Sequence, residues 1–208
     1  MKRSLLIARQ SSRPSGVIGY FLARIMSVET AEDNDIALTL LDISPSDRVL
    51  DVGFGHGRTL GRIAGIAHDG FVAGVDSSAD MVKMAARRNR RLLRSNRMKL
   101  CHADASCLPF ADRSFDKALS VHTIYFWPNP ATELREICRT LRSGGRAAIG
   151  FRYDREAIEN FPAPVYTFHH PDAVVKMLLE AGFERVRLEK IERGERMMHW
   201  AVAHRPQE

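Results

Sequence analysis

Apolar residues near the start of the chain recur with the spacing of an amphipathic helix. They are Val17, Ile18, Phe21, Leu22, Ile25 and Met26. Thr30 and Asp33 fit a capping box and predict the start of a second helix within residues 30–43. Residues 1–15 are polar and basic and are interrupted by Pro14, so we expect a loose N-terminal arm there.

From residue 48 onward, short apolar runs alternate with amphipathic segments. The runs predict strands over 48–53, 71–76, 98–104, 115–121 and 146–151, the last one after a Gly144-Gly145 turn. The amphipathic segments predict helices over 57–68, 78–95 and 131–142. Such alternation is typical of right-handed βαβ crossovers, and it predicts a mostly parallel sheet.

The C-terminal part of the chain has a different pattern. A helix is expected over residues 171–181, because Pro171 stands near its start and Gly182 just past its end. Two further strands, 183–191 and 196–205, are joined by "ERGE" and predict an antiparallel hairpin. Together with the five earlier strands, they indicate one α/β domain with a seven-stranded sheet.

Length and composition are consistent with one globular domain, since the chain has 208 residues, of which 45% are hydrophobic. The sequence has no apolar run long enough to cross a bilayer. Near the start only residues 5–8 form an apolar run, too short for a secretory signal. We therefore expect a cytoplasmic protein without a membrane partner. Three cysteines without CxxC spacing predict buried free thiols and no metal site.

The formal net charge of +6 raises the question of an acidic partner. Much of the excess comes from "ARRNRRLLRSNR", residues 86–97. A charge run at helical spacing is typical of a solvated face. The alternative is an RNA-binding patch, but no aromatic residues interleave with these arginines. The run alone does not predict nucleic-acid binding.

Three glycines, Gly53, Gly55 and Gly57, occupy alternate positions directly after the first strand. Glycine is needed where the chain takes positive φ or passes very close to a ligand. Between a strand and a helix, such a loop presents backbone N–H groups and the positive end of the helix dipole. Three alternate glycines exceed what a tight turn requires, so the loop favours ligand binding.

Two aspartates follow neighbouring strands beside this loop. Asp76 ends the second strand, nineteen residues after Gly57, where a carboxylate accepts hydrogen bonds from ribose hydroxyls. Asp104 ends the third strand, where it is placed to accept from an adenine amino group. The two residues predict a nucleoside pocket at the carboxyl edge of the sheet.

Five segments, taken in order and spacing, resemble a known family. They are "VLDVGFGHG", "VAGVDSSADMV", "CHADASCLPF", "FDKALSVHTIYFW" and "LREICRTLRSGGRAAIGF". They resemble the class I S-adenosylmethionine-dependent methyltransferases, and most closely the type 11 small-molecule branch. The resemblance covers residues 16–208 and is strongest over 48–152.

The resemblance implies a Rossmann-like fold with helices on both faces of the sheet. It also implies transfer of the sulfonium methyl of S-adenosylmethionine to a small-molecule nucleophile, leaving S-adenosylhomocysteine. Residues 16–44 would form a helical cover, and 45–152 would form the cofactor-binding core. Residues 153–208 would supply a second cover segment, a helix and the hairpin.

For the methionine part of the cofactor, the resemblance assigns the first loop. Gly53, Phe54, Gly55 and Gly57 would lie against it. Asp51, inside the first strand, would order the loop and reach the methionine amine.

For the nucleoside, the resemblance assigns the ends of the next two strands. Asp76 would bind the ribose hydroxyls, with Ser77 and Met81 beside the sugar and base. Asp104 and the backbone of Ala105 would recognise the adenine edge.

The end of the fourth strand, "SVHTIYFW", would face the methionine and the acceptor. Ser120 and Val121 would line the methionine side through backbone groups. His122 is a candidate base, because imidazole is the side chain that titrates nearest neutrality; packing is the alternative. Tyr125 is a candidate to stabilise the sulfonium through its ring face.

Three other functions stay open at this point. "SVHTIYFW" replaces the Asn-Pro-Pro-aromatic signature of many amino-group methylases, which argues against nucleobase amino groups but leaves other RNA-directed methylation possible. An NAD-dependent oxidoreductase also uses a glycine loop and a distal acid, but Asp51 within the strand is typical of the methyltransferases. The third alternative is a member of this family that binds the cofactor but catalyses no methyl transfer.

Overall fold

The computed structural model describes residues 3–193 and 196–207. Its strands are β1 (Arg48–Val52), β2 (Phe71–Asp76), β3 (Met98–His102), β4 (Phe115–Val121), β5 (Leu141–Arg152), β6 (Glu184–Arg193) and β7 (Arg196–His204). They form one seven-stranded sheet in the order β3-β2-β1-β4-β5-β7-β6. The chain first runs outward to β3 and then continues on the other side of β1. This reversal at β1 and β4 is where open α/β sheets bind ligands.

The first five strands are parallel to one another, and β7 runs antiparallel to both of its neighbours, β5 and β6. Leu50 of β1 pairs with Ala73 of β2 and Ala118 of β4 in parallel register. Ile149 of β5 pairs with Ala201 of β7 in antiparallel register. The predicted α/β fold, with its mostly parallel Rossmann-like sheet and C-terminal hairpin, is confirmed. The "ERGE" connection lies partly outside the described residues.

The helices are α1 (Leu5–Ser12), α2 (Gly16–Glu29), α3 (Ala31–Leu41), α4 (Arg58–Ile66), α5 (Ala79–Arg88), α6 (Arg90–Arg94), α7 (Pro130–Thr140), α8 (Arg155–Asn160) and α9 (Pro171–Glu180). They cover both faces of the sheet, because successive side chains of a strand point to opposite sides. Val49 belongs to the same core cluster as Leu60 of α4, whereas Leu50 belongs to the cluster that contains Leu134 of α7. Neither face of the central strands is therefore left to solvent.

The N-terminal arm differs from the prediction of a loose segment. Leu5–Ser12 form a helix whose first turn is capped by the Ser4 hydroxyl, which accepts a hydrogen bond from the Ile7 N–H. Ala8 is fully buried in the core that also contains Leu134. Burial of one helix side, which is a tertiary effect, stabilises an eight-residue helix that would be too short to persist on its own.

The helix expected over residues 78–95 is divided at Asn89, between α5 and α6. The buried Asn89 amide donates to the carbonyl oxygens of Gly57 and Ala85. A turn was expected at Gly144-Gly145, but strand pairing in β5 already begins at Leu141. Gly144 nevertheless has a φ of +72°, so the strand bends there.

The predicted capping box at Thr30 and Asp33 is wrong. The Thr30 hydroxyl donates back to the Met26 carbonyl oxygen of α2 and makes no cap bond to α3. Asp33 instead turns inward and pairs with His122 and Arg196. The Asp33 carboxylate forms ion pairs with residues that are distant in the sequence, so it does not cap the start of α3.

The prediction of buried thiols holds for Cys138 but not for Cys107, which is exposed; Cys101 is half-buried. Among residues 3–193 and 196–207, no helix is both long enough and apolar enough to cross a membrane. The same residues contain no cluster of three or more potential metal ligands.

Candidate active site

A cavity of about 480 Å³ opens at the carboxyl ends of β1, β2 and β4. Its lining contains ten of the residues that the sequence assigned to the cofactor: Asp51, Gly53, Phe54, Gly55, Asp76, Ser77, Met81, Asp104, Ala105 and Val121. These residues come from four separate stretches of the chain. The parallel sheet brings them together because its strand ends share one edge.

The glycine loop has the backbone conformation that its sequence predicts. The φ angles of Gly53, Gly55 and Gly57 are +82°, +57° and +76°, a region that side chains with a Cβ rarely adopt. A Cβ at Gly53 would lie 2.2 Å from Cγ2 of Thr123. A Cβ at Gly55 would meet no atom within 4 Å, so this part of the loop leaves room for a ligand.

Gly57 and Ser120 lie behind the cavity wall, although both were predicted to contact the cofactor. A Cβ at Gly57 would lie 2.4 Å from the Cβ of Ala85, so this glycine allows α4 and α5 to approach closely. Ser120 is fully buried, and its hydroxyl donates to the Val52 carbonyl oxygen and contacts Thr123 Oγ1. Their role in this structure is to hold the loop and the adjoining strands together.

Asp76 connects the ends of β1 and β2. Its Oδ2 accepts the Gly55 N–H and its Oδ1 accepts the Ser78 N–H, both at 2.8 Å. Burial raises the pKa of this carboxyl, whereas the two backbone hydrogen bonds favour its charged form and oppose the rise. Asp76 therefore fixes the glycine loop in addition to facing the cavity.

Asp51 lies at the bottom of the same cavity and is buried. Burial, followed by the nearby charge of Asp76, raises the pKa of its carboxyl to about 8. A cation placed beside this group would reverse that shift, because it stabilises the carboxylate. The arrangement therefore suits a ligand with a positively charged amine.

The N-terminal arm covers the cavity above Asp76, which the sequence did not predict. The Arg13 guanidinium donates to the Ser77 carbonyl oxygen at 2.9 Å. The Ser78 hydroxyl donates to the Pro14 carbonyl oxygen at 2.6 Å. These contacts place the end of α1 and the following loop over the nucleoside side of the cavity.

Two further titratable residues in the lining were not selected from the sequence. Burial, with Arg88 and Arg58 nearby, lowers the pKa of His56 to about 4, so this imidazole is neutral. Burial raises the pKa of Glu133, which lies in the first turn of α7. In the sequence, His56 appears only as a histidine within the glycine loop and Glu133 only as an acid in a predicted helix. Neither pattern is specific to a binding site.

A second cavity of about 370 Å³ adjoins the first. It is lined mainly by aromatic and basic side chains: Arg3, Tyr125, Phe126, Arg152, Phe161, Tyr166, Phe168 and Arg196. Met26, Thr30, His122 and Phe126 line both cavities and form the boundary between them. Tyr125 thus lies in the second cavity, away from the first.

His122 stands at this boundary with a φ of +61°, an uncommon conformation for a residue other than glycine. Its Nε2 lies 2.9 Å from Oδ2 of Asp33, and its Nδ1 lies 3.1 Å from the Tyr125 hydroxyl. The Arg196 guanidinium also donates to Asp33, at 2.6 Å. An Nε2–H donor to the carboxylate and an Nδ1 acceptor toward Tyr125 satisfy these contacts together.

The Tyr125 hydroxyl accepts a hydrogen bond from the Arg152 N–H, which leaves its own proton for His122 Nδ1. Burial raises the pKa of Tyr125 above its ordinary value, so the phenol stays protonated. The sequence did not reveal this group of residues, since Asp33 is 89 positions from His122. Their proximity depends on packing of α3 across β4, β5 and β7, which lie in this order in the sheet.

The arginine run forms a solvated face, as the sequence predicts. Arg87, Arg88, Arg90, Arg91 and Arg94 are exposed. We expect Arg87→Glu together with Arg91→Glu to leave the melting temperature and methyl transfer nearly unchanged, because exposed charges contribute little. Thermal unfolding and a methyl-transfer assay check this.

Arg97 supplies the matched control, because it is half-buried and donates to the carbonyl oxygens of Ala64 and Ala67. Arg97→Glu should lower the melting temperature clearly, since these carbonyl groups lose their donor. If the folded Arg87→Glu, Arg91→Glu variant lost methyl transfer, the interpretation of the arginine run as a solvated face would be wrong. The RNA-directed alternative would then be favoured.

Comparison with known proteins agrees with this geometry. The family model described as "Methyltransferase domain" matches residues 50–149. An O-methyltransferase of Pyrenophora dematioidea is 30% identical over 181 residues, which cover 80% of this chain and 67% of that protein. An uncharacterized 37.1 kDa protein in a transposon of Streptomyces fradiae is also 30% identical, and here the chain spans only 51% of the relative's length.

The fold has counterparts among solved structures. A SAM-dependent methyltransferase from Aquifex aeolicus superposes with a TM-score of 0.69 at 22% identity, over 83% of this chain and 89% of that one. This likeness supports the architecture, and the O-methyltransferase relative carries the family assignment. Most of the residues that line the cavity at the switch between β1 and β4 lie within the matched domain. This chain belongs to the class I S-adenosylmethionine-dependent methyltransferases.

Proposed function

We propose that this protein transfers the methyl group of S-adenosylmethionine to a small molecule that binds in the second cavity. The observation that carries the proposal is the shared wall: Met26, Thr30, His122 and Phe126 line both cavities. A methyl donor in the first cavity and an acceptor in the second would meet at this wall. The name O-methyltransferase of the Pyrenophora relative supports a hydroxyl oxygen as the acceptor atom.

The residues of the first cavity fit the cofactor. Gly55 offers open space beside the loop, Asp51 suits the methionine amine, and Asp76 suits the ribose hydroxyls. Asp104 and Ala105 would face the adenine, with Ser77 and Met81 beside it. When bound, the cofactor supplies an activated methyl on a sulfonium. The protein then needs mainly to orient the two reactants and exclude water.

The residues of the second cavity suit an acceptor with an apolar or aromatic body. Phe161, Tyr166 and Phe168 contact one another, with ring centroids 4.9 to 5.8 Å apart. His122 would take up a proton at Nδ1 through the Tyr125 hydroxyl, which would accept the proton of the acceptor as it passes its own proton to this nitrogen. Asp33 would orient the imidazole and stabilise its positive charge, as carboxylates do beside catalytic histidines.

The test of this function is an activity screen with labelled S-adenosylmethionine against small phenols, alcohols, amines and thiols. Methyl transfer to a phenol or alcohol, with S-adenosylhomocysteine formed in equal amount, is the expected result. Transfer only to RNA would overturn the small-molecule assignment. Binding of NAD with no binding of S-adenosylmethionine would overturn the assigned role of the first cavity.

Binding of S-adenosylmethionine should release a proton from Asp51. With a pKa of about 8, the empty site holds Asp51 largely protonated at pH 7. The methionine amine would lower that pKa, so affinity should rise with pH until about 8 and then level off. Calorimetry in two buffers of different ionisation enthalpy measures the proton, and Asp51→Asn should not release it. Equal proton release by both proteins would contradict this role of Asp51.

A further inference from the structure

Helix α2 exposes an apolar face that no described part of the chain covers. Val17, Phe21, Ile25 and Val28 have exposures of 74%, 61%, 55% and 72%. Their spacing places them on one side of the helix, called here the outer α2 face. The opposite side already packs inward, where Met26 lines the two cavities.

Helix α1, which packs next to α2, also carries exposed apolar residues. Leu5 and Leu6 are also exposed, and α1 is tied to α2 by the Ser15 N–H, which donates to Gln10 Oε1 at 2.9 Å. Single exposed apolar residues are ordinary, but a contiguous group of this kind marks an interaction surface. Both helices of the N-terminal segment therefore present apolar side chains to solvent.

The charge of this part of the chain indicates the chemistry of the partner. Residues 1–29, which include α1 and α2, contain one acidic residue, Glu29, and five basic residues: Lys2, Arg3, Arg9, Arg13 and Arg24. Arg9 and Arg13 are exposed in the structure. A second copy of the chain would bring two such basic segments against each other, which like-charge repulsion opposes. An anionic lipid surface complements both the basic residues and the apolar face.

We propose that α1 and α2 dock on an anionic membrane surface, with the outer α2 face inserted at the headgroup boundary. With 14 residues, α2 is too short to span a bilayer, which takes about 20 residues, so it would lie along the interface. This departs from the expectation of no membrane partner, which rested on the lack of a spanning run. Docking would place α2 between the lipid and the second cavity, which Met26 lines from the opposite side of the helix.

The experiment is co-sedimentation of the full chain with vesicles of phosphatidylcholine alone or mixed with phosphatidylglycerol. We expect binding to the mixed vesicles, little binding to phosphatidylcholine, and weaker binding at high salt because ions screen the arginines. Phe21→Ser with Ile25→Ser should lower partitioning about tenfold or more, because two inserted side chains lose their transfer free energy. Leu179→Ser, at an exposed apolar position of α9, is the matched control and should bind like the parent.

Unchanged thermal unfolding of the double variant shows that its fold is intact. Absence of binding to the mixed vesicles would overturn the proposal. A dimer seen by analytical ultracentrifugation, dispersed by the same double substitution and without vesicle binding, would assign the outer α2 face to a second copy instead. None of these measurements uses methyl transfer, so they are independent of the proposed function.

Discussion

Asp76→Ala is expected to weaken binding of S-adenosylmethionine by tens-fold while the fold persists. The alanine removes the acceptor for the Gly55 and Ser78 N–H groups and for the proposed ribose hydroxyls. A buried donor without its partner loses about 1–3 kcal/mol, and each 1.4 kcal/mol is about tenfold in affinity. Isothermal titration calorimetry with S-adenosylmethionine and with S-adenosylhomocysteine measures the effect.

The loop contacts of Asp76 allow a graded comparison. Asp76→Asn keeps one carbonyl oxygen and should lose less affinity than Asp76→Ala. Asp69→Ala, at an exposed turn after α4, is the control and should bind as the parent does. A folded Asp76→Ala protein with unchanged affinity would show that the end of β2 is not the ribose site.

His122→Ala is expected to lower kcat about a hundredfold or more without a matching loss of cofactor affinity. The reason is the proposed proton transfer from the acceptor to Nδ1, in a site where Asp33 holds the imidazole at 2.9 Å. The acidic limb of the pH–rate profile should vanish in the variant, since that limb reports protonation of the base. Steady-state kinetics across pH and cofactor titration provide the two measurements.

Two variants distinguish a base from a packing residue at this position. Asp33→Asn keeps the shape but weakens the orienting charge, so it should lower kcat while retaining the acidic limb. His68→Ala, at an exposed position, should leave both rate and pH profile unchanged. If His122→Ala lost only thermal stability and kept the limb, His122 would be a packing residue and the base hypothesis would be wrong.

Much of the cofactor side could be predicted from the sequence, because its determinants are local. Alternate glycines after an apolar run specify a loop with positive φ, whatever the rest of the chain does. Asp76 and Asp104 each stand at or near a strand end, and strand ends of a parallel sheet meet at one edge, whereas the role of Asp51 was implied by the family resemblance. The strand bounds of β2 and β4 were likewise predicted to the residue. Short-range pattern and one topological rule suffice for these features.

The acceptor side was decided by tertiary packing. Asp33, His122 and Arg196 come from α3, the end of β4 and β7, and no local pattern relates them. Periodicity predicted α2 as an amphipathic helix, but Val17 and Phe21 from the predicted apolar set face solvent, whereas Met26 from the same set faces the cavities. A local pattern fixes which residues share a face. Only the competition among all faces for burial decides which of them enters the core.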